Sequence, residues 1–369
     1  MNIIIFIVIL LILVLVHEFG HFFTAKRFGI KVDEFGFGFP PKLFGFKKGE
    51  TEYTFNLFPL GGFVKIFGEN PDEENTNGPD KARSFVNKPA WQQALVLFAG
   101  VFANFLLAWL LFSIGFMSGL PTSVGSERAG YKLQNINLVV ISVLPNSPAE
   151  KAGLKIGDKI MNIKSGNNFT AYVNPEAIKS FVVANEGKEI DIGYVRGNYK
   201  DTTSLNTLKV VPVKNSSTNE PYIGISMDEI GTAKLPFFPA LWEGLRLDWS
   251  MVKGTVLGLY TLIRDGLHGK GSLSAITGPV GMVGIVGDAY KFGFIYLLSF
   301  TALISVNLAI INLFPFPALD GGRLLFLLIE KIKGSRINPK AANIANMIGF
   351  SILIFFMLIV TYHDVIKLF

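Results

Sequence analysis

Residues 13–23 read LVLVHEFGHFF, two histidines and a glutamate inside a run that is otherwise hydrocarbon-soluble helix. An acidic side chain near the centre of a spanning helix costs roughly 2.5–3.5 kcal/mol on insertion scales, so such residues face a protein interior and have a task there. His17-Glu18-Phe19-Gly20-His21 is an HExxH pattern. At 3.6 residues per turn its imidazoles stack on one helix face with Glu18 offset beside them, an arrangement that suits Zn²⁺. The competing reading is a pair of neutral core histidines bonded to neighbouring helices, with Glu18 protonated or ion-paired. A bis-histidine haem site is excluded, because two histidines on one turn of one helix cannot take opposite axial positions.

Working outward, the chain has the composition of a membrane protein. Half of its 369 residues are hydrophobic and 17% are charged, and the mean hydropathy is +0.42. Segments 1–25, 91–119, 294–316 and 344–362 are each apolar over the ~20 residues of helix that a bilayer core requires. No Lys or Arg precedes Lys26, and the first segment holds His17, Glu18 and His21, so it reads as a helix of the mature protein and not as a cleavable leader. Cysteine is absent, which leaves histidine and carboxylate as metal ligands. The net charge of +6 is topological: Lys26, Arg27, Lys31 and Lys88 border one loop, and Lys331, Lys333, Arg336 and Lys340 fill another. The positive-inside rule makes both loops cytosolic and puts the N-terminus, residues 119–293 and the C-terminus outside. No basic patch interleaved with aromatics points to nucleic acid.

Between the first two spans, DEFGFGFPPKLFGFKKG and the residues after it alternate aromatic and polar side chains with glycine punctuation, the pattern of strands and a hairpin beside the membrane. PDEENTNGPDKARSF then reads as a polar surface loop. Residues 134–227 carry short β-type runs, LVVISV, IDIGYV and TLKVVPV, around LPNSPAEKAGLKIGDKIMNI, plus a helical patch at 175–185. SPAEKAGL starts a helix at a Ser-Pro cap and stops it at glycine, and IGDKIMNI is a turn feeding a strand. These residues resemble a PDZ domain of the permuted type found in bacterial envelope proteases. Farther on, Phe238, Leu241, Leu245, Trp249, Val252, Val256, Leu259, Ile263 and Leu267 recur at steps of three and four, while Glu243, Arg246, Lys253 and Arg264 take other faces. Charges such as these argue against a span, and the pattern predicts an amphipathic helix in the outer interface, the alternative being a helix packed on the soluble domain.

A catalytic zinc takes three protein ligands and one open position. His268 follows the amphipathic helix and His363 ends the last span, so neither suits. Asp320 stands out, in NLFPFPALDGGR (312–323), where Pro315 and Pro317 break the third span and free backbone groups tolerated only beside protein or a water-filled cavity. The alternative there is a plain helix-ending turn.

HEFGH in the first span together with NLFPFPALDGG after the third resembles the site-2 protease family of intramembrane zinc metalloproteases. LISVNLAIINLFPFPALDGGRLLFLLIEKIKG is similar to the bacterial regulator-of-sigma-E protease branch of that family. The resemblance implies His17, His21 and Asp320 as zinc ligands and Glu18 as catalytic base. It further implies that Asn307 and Asn312 position substrate and that Gly36-Phe37-Gly38 offers a membrane-embedded edge strand. The fold expected is a polytopic α-helical membrane protein of four transmembrane helices with a membrane-associated β-hairpin and one extracytoplasmic PDZ-like α+β domain. Its parts are a helix at 1–25, a cytosolic loop at 26–90, a helix at 91–119, the PDZ domain at 120–228, an interfacial helix and connector at 229–293, a helix and LDG motif at 294–330, a cytosolic loop at 331–343 and a last helix within 344–369. Better-known members of the branch carry tandem PDZ domains, whereas this chain has room for one. By resemblance the substrates are single-span proteins of the bacterial inner membrane, such as anti-sigma factors or signal-peptide remnants, already cut outside by a site-1-type protease. Two rivals are a non-catalytic membrane PDZ scaffold, disfavoured by the intact HExxH with a third carboxylate, and a zinc or proton transporter, disfavoured by the absence of an inverted repeat.

Overall fold

The computed structural model describes residues 1–70, 73–126, 131–171, 173–196, 205–215, 219–269 and 276–366. In chain order the elements are α1 (Asn2–Arg27), β1 (Val32–Lys48), β2 (Thr51–Ile66), the short α2 (Glu73–Asn77), two 3₁₀ turns and α3 (Ala90–Ser118). Next come β3 (Leu120–Ser123), β4 (Gln134–Val143), α4 (Pro148–Lys151), β5 (Lys159–Ser165), β6 (Asn168–Thr170) and α5 (Pro175–Ala184). They are followed by β7 (Ile190–Val195), β8 (Asn206–Val210), β9 (Val213–Lys214), β10 (Pro221–Tyr222) and β11 (Ile225–Ala233). The chain finishes with α6 (Phe237–Leu267), α7 (Pro279–Phe292), α8 (Phe294–Leu313), α9 (Asp320–Lys333) and α10 (Pro339–Ile366). It divides into two compact units, residues 1–113, 241–288 and 298–369 forming the first and residues 114–240 with 289–297 the second.

In the first unit α1, α3, α8 and α10 are long and apolar enough to cross a membrane, the four segments expected from the sequence. They belong to a multi-pass membrane protein. Helix α1 ends where Gly29 turns left-handed at φ 65, the usual glycine stop just past a helix terminus. α1 and α3 touch where both lack side chains. A Cβ on Gly20 would stand 2.3 Å from the Ala99 carbonyl oxygen, and one on Gly100 would stand 2.4 Å from His21 Nε2. Small residues allow such approaches between apolar helices, where van der Waals contact replaces the hydrophobic drive. Ala108 and Phe112 of α3 pack with Ala302, Val306 and Ile310 of α8.

The amphipathic α6 lies alongside these spans. Leu247, Met251, Val252 and Leu259 cover the α3–α8 seam, the Trp109 indole N–H donates to Leu241 O at 2.8 Å, and Thr255 Oγ1 donates to Asn307 Oδ1 at 2.7 Å. Phe238, Trp242, Trp249 and Tyr260 stay exposed on its other side. Basic residues gather at one end of the unit: Lys26 and Arg83 both pair with Glu50, and Arg336 Nη2 donates to Val86 O at 3.1 Å. At another place Asp364 accepts from Gly281 N–H at 2.8 Å.

Strands β1 and β2 are long and bent, so one pairing produces four rows. Residues 34–37 pair on one side with 62–65 and on the other with 52–55, and 52–55 pair in turn with 44–47. Gly36 faces both Phe63 and Thr54, and Phe37 faces both Gly62 and Phe55. The segment predicted to be an edge strand is therefore interior, because the bend at 56–62 returns the chain along its outer side. Phe63–Val64 forms the outer row instead.

The second unit holds a seven-stranded sheet in the order β3-β11-β4-β5-β7-β8, with β6 on β5, and β9 pairs with β10 apart from it. Its core includes Val140, Ile160, Ile163, Ile178, Ile190 and Ile192. Ser147 caps α4, its Oγ accepting from Glu150 N–H at 3.2 Å, and Gly153 ends the turn at φ 89. Asn174 Oδ1 accepts from Ala177 N–H at 2.7 Å at the start of α5. The fully buried Asp158 takes two hydrogen bonds from Arg196, each 2.6 Å.

The α1–α3 contact is testable by size alone. Gly20→Ala forces overpacking and should lower stability by roughly 1–3 kcal/mol, seen as a fall in Tm in detergent. Gly254→Ala on α6, where nothing lies within 4 Å of the new methyl, should hold or gain about 0.5–1 kcal/mol. Equal responses would refute the close-contact account.

Candidate metal centre

Helical spacing does the first part of the assembly. His17 and His21, one turn apart on α1, are both buried, and their rings meet edge-to-face with centroids 4.7 Å apart. Their Nε2 atoms lie 3.1 Å from each other. The remainder comes from 300 residues away in sequence. Asp320, at the first position of α9, brings Oδ2 to 3.0 Å from His17 Nε2 and 3.3 Å from His21 Nε2. These three atoms are a candidate ligand cluster. Zinc–nitrogen bonds of about 2.0–2.1 Å in a tetrahedron separate neighbouring donors by about 3.3 Å, so the spacing fits one divalent ion bound by all three.

The turn that delivers Asp320 is tightly built. α8 stops at Leu313, ahead of Pro315 and Pro317, and Ala318 then adopts φ 77. That is an uncommon conformation for a residue with a Cβ. The Ala318 N–H donates to Asn346 Oδ1 of α10 at 3.1 Å. Gly321 has no Cβ because Leu313 and Phe314 carbonyl oxygens stand where one would go, 2.2 and 2.3 Å away.

The second nitrogens of the histidines are also engaged. His21 Nδ1 lies 2.8 Å from Val96 O, and His17 Nδ1 lies 3.4 Å from the amide of Asn104. Glu18 is oriented by the sheet, its Oε2 accepting from Val64 N–H at 3.0 Å. Glu18, His21 and Asp320 open on a cavity of about 480 Å³ whose walls include Phe63, Val64, Met347 and Phe350. Arg323 and Glu69, bonded to each other, also line it.

Of the residues named from sequence, His17, Glu18, His21 and Asp320 come together. Asn307 and Asn312 are half-buried on α8 and do not line this cavity. Gly36, Phe37 and Gly38 also lie off it. Val64, Glu69, Asn104, Arg323 and Asn346 had not been singled out, although Asn104 gave a signal as a polar residue inside an apolar span.

The model of peptidase family M50 matches residues 5–356. The zinc metalloprotease RasP of Oceanobacillus iheyensis is 30% identical, over 99% of this chain and 98% of that protein. The zinc metalloprotease RasP of Geobacillus kaustophilus is also 30% identical, over 100% and 98%. The regulator of sigma E protease of Haemophilus influenzae is 29% identical, over 98% of both. With a match that runs nearly end to end, this chain belongs to peptidase family M50.

Proposed function

We propose that this family M50 enzyme, an intramembrane zinc metalloprotease, uses His17, His21 and Asp320 to hold its zinc and cuts single-span membrane proteins within the bilayer. The observation that carries the assignment is the convergence of those three donor atoms next to Glu18, inside a bundle of apolar helices. When bound, zinc supplies Lewis acidity, which polarises a carbonyl and acidifies water. The protein's own contribution is orientation and proton transfer. Val64 N–H fixes Glu18 through Oε2, and the carboxylate takes a proton from water at Oε1 and returns it to the leaving amine. The cavity that Arg323 and Glu69 line gives water a polar route.

A helical substrate hides its peptide bonds in its own hydrogen bonds and has to unwind. Unpaired backbone in lipid costs several kcal/mol per group, and strand addition to a free sheet edge offsets that cost. The outer row at 62–65 suits that role, since it borders the cavity at Phe63 and Val64 and pairs with another strand row on one side. Asn307 positions substrate through its amide N–H groups, its Oδ1 being held by Thr255 Oγ1.

The second unit is a single PDZ-like domain. Its Ser-Pro-capped α4, the glycine stop and β5 support that identification. The alignments with the RasP proteins run to 443 positions, longer than this chain, so those relatives carry residues with no counterpart here. The basic end of the first unit is cytosolic in a bacterial inner membrane, and the PDZ-like domain and both termini are extracytoplasmic. The substrates are anti-sigma factors or signal-peptide remnants already trimmed by an upstream protease.

Zinc stoichiometry and peptide cleavage, measured together in detergent, test the core of this assignment. Glu18→Gln should keep near-stoichiometric zinc and lose cleavage by at least about 10²-fold, whereas Asp320→Asn should lose metal affinity as well. Wild-type proteolysis by Glu18→Gln would sink the metalloprotease mechanism. For the edge strand, substrates N-methylated one position at a time around the scissile bond should alternate between no effect and a loss of about fivefold in kcat/KM, the worth of about 1 kcal/mol per hydrogen bond. Indifference at every position would exclude strand addition.

For the PDZ-like domain, joining Gly125 to Glu229 by a short Gly/Ser bridge removes 126–228 and leaves β3 paired with Ile230–Ala233. If the domain is a size filter, cleavage of trimmed substrates persists and untrimmed ones become substrates. Weaker processing of trimmed substrates with no gain on untrimmed ones would identify a recruiting domain.

A further inference from the structure

We infer that Asn104 of α3 is a positioning residue for the metal centre, its amide oxygen holding the Nδ1–H of His17 so that the Nε2 lone pair is presented to zinc. The inference rests on the assignment of His17 as a zinc ligand. A neutral imidazole carries one proton. For Nε2 to bind a metal that proton sits on Nδ1, and it then needs an acceptor because His17 is buried. His21 has one that can only accept, the Val96 carbonyl at 2.8 Å. His17 has the Asn104 side chain, 3.4 Å away.

Three observations single out Asn104. It is 0% exposed, at mid-helix in a span. Its Oδ1 is buried with no hydrogen-bond partner among the described residues, while its Nδ2 faces His17 Nδ1. Its backbone carbonyl accepts from Ser305 Oγ of α8 at 2.8 Å, so the residue is held in place independently of its side chain. As oriented, Nδ2–H donates to His17 Nδ1, which leaves the ring proton on Nε2 to donate to Asp320 Oδ2 at 3.0 Å. A half-turn of the amide about its Cβ–Cγ bond exchanges the two atoms and puts Oδ1 toward His17. Tautomer and amide orientation are then a single choice: nitrogen toward the ring when Nε2 is protonated, oxygen toward it when Nε2 binds metal. An amide can serve both states, and a carbonyl such as Val96 O only one.

The test is zinc affinity of the full chain in detergent, by competition with a chelator of known affinity. Thermal unfolding of each metal-free variant serves as the folding control. Asn104→Leu keeps the size and the Ser305 bond but offers no acceptor, and should weaken zinc binding by about 10–100-fold, the usual effect of losing such an outer partner. Asn104→Asp, an acceptor at the same place, should stay within a few-fold of wild type. If Asn104→Leu does not fold, Asn104→Met takes its place, since a flexible thioether chain fills irregular gaps. Wild-type affinity in the apolar variant, or an equal loss in Asn104→Asp, overturns the role of the amide oxygen. His17→Ala is measured alongside: if it binds zinc as wild type does, the ligand assignment itself falls and this inference falls with it.

Discussion

Placing the buried His17 and His21 and the half-buried Glu18 and Asp320 among apolar helices is the constraint on which the rest of the first unit depends. A polar group removed from water without a partner costs on the order of 1–3 kcal/mol by protein mutational data, so each needs one supplied by another element. α3 gives the Val96 carbonyl and the Asn104 amide, β2 gives the Val64 N–H, and the start of α9 gives the carboxylate that meets both histidines. The two partners on α3 reach α1 because α3 comes within glycine distance of it. The approach at Gly20 and Gly100 is therefore what allows a charged site in this helix, and the apolar seam of Ala108, Ala302 and Val306 holds the neighbouring span against it.

The sheet beside α1 answers a different need. Its interior rows tie the bent strands together, and aromatic stacking reinforces them: the Phe37 and Phe44 rings each lie 4.6 Å from that of Phe55. Gly36 is glycine because the Phe63 ring crosses it, 2.4 Å from where a Cβ would be. That glycine serves the packing of the outer row and is not itself an open edge. The outer row is then stiff, borders the cavity, and gives one N–H to Glu18, so base and sheet edge are fixed relative to each other by a single hydrogen bond.

What could be read in the sequence was what is encoded locally. HExxH carries its own geometry through the 3.6-residue period, and the four spans follow from apolar length. Ser147-Pro148 and Gly153 mark helix ends by chemistry that acts within four residues, and the structure places α4 where those signals lie and α5 within the helical patch at 175–185. The row order of a bent hairpin was not encoded that way. Gly36-Phe37-Gly38 looks the same in sequence whether it is interior or outermost, and only the return at 56–62 decides. Asn104, Arg323 and Glu69 were overlooked for a related reason, since each matters through a partner 87 or 254 residues distant. The α6 pattern did give an amphipathic helix, but periodicity could not say that its apolar face would cover α3 and α8.

The turn carrying Asp320 shows how these parts share one load. Ala318 at φ 77 stores backbone strain of order 1–3 kcal/mol, in a segment where two prolines have already ended α8. The strain persists because Asn346 of α10 holds the Ala318 N–H and because Gly321 lets the end of α8 sit directly on the start of α9. α10 has few buried residues of its own, yet it supplies Asn346, Met347 and Phe350 to the cavity wall. The third ligand is thus positioned by a helix that contributes none. The first two are positioned by α3, which also contributes none. An intramembrane site made this way draws on all four candidate spans among the described residues: α1 bears two ligands, α8 leads into the turn that carries the third, and α3 and α10 hold them in place.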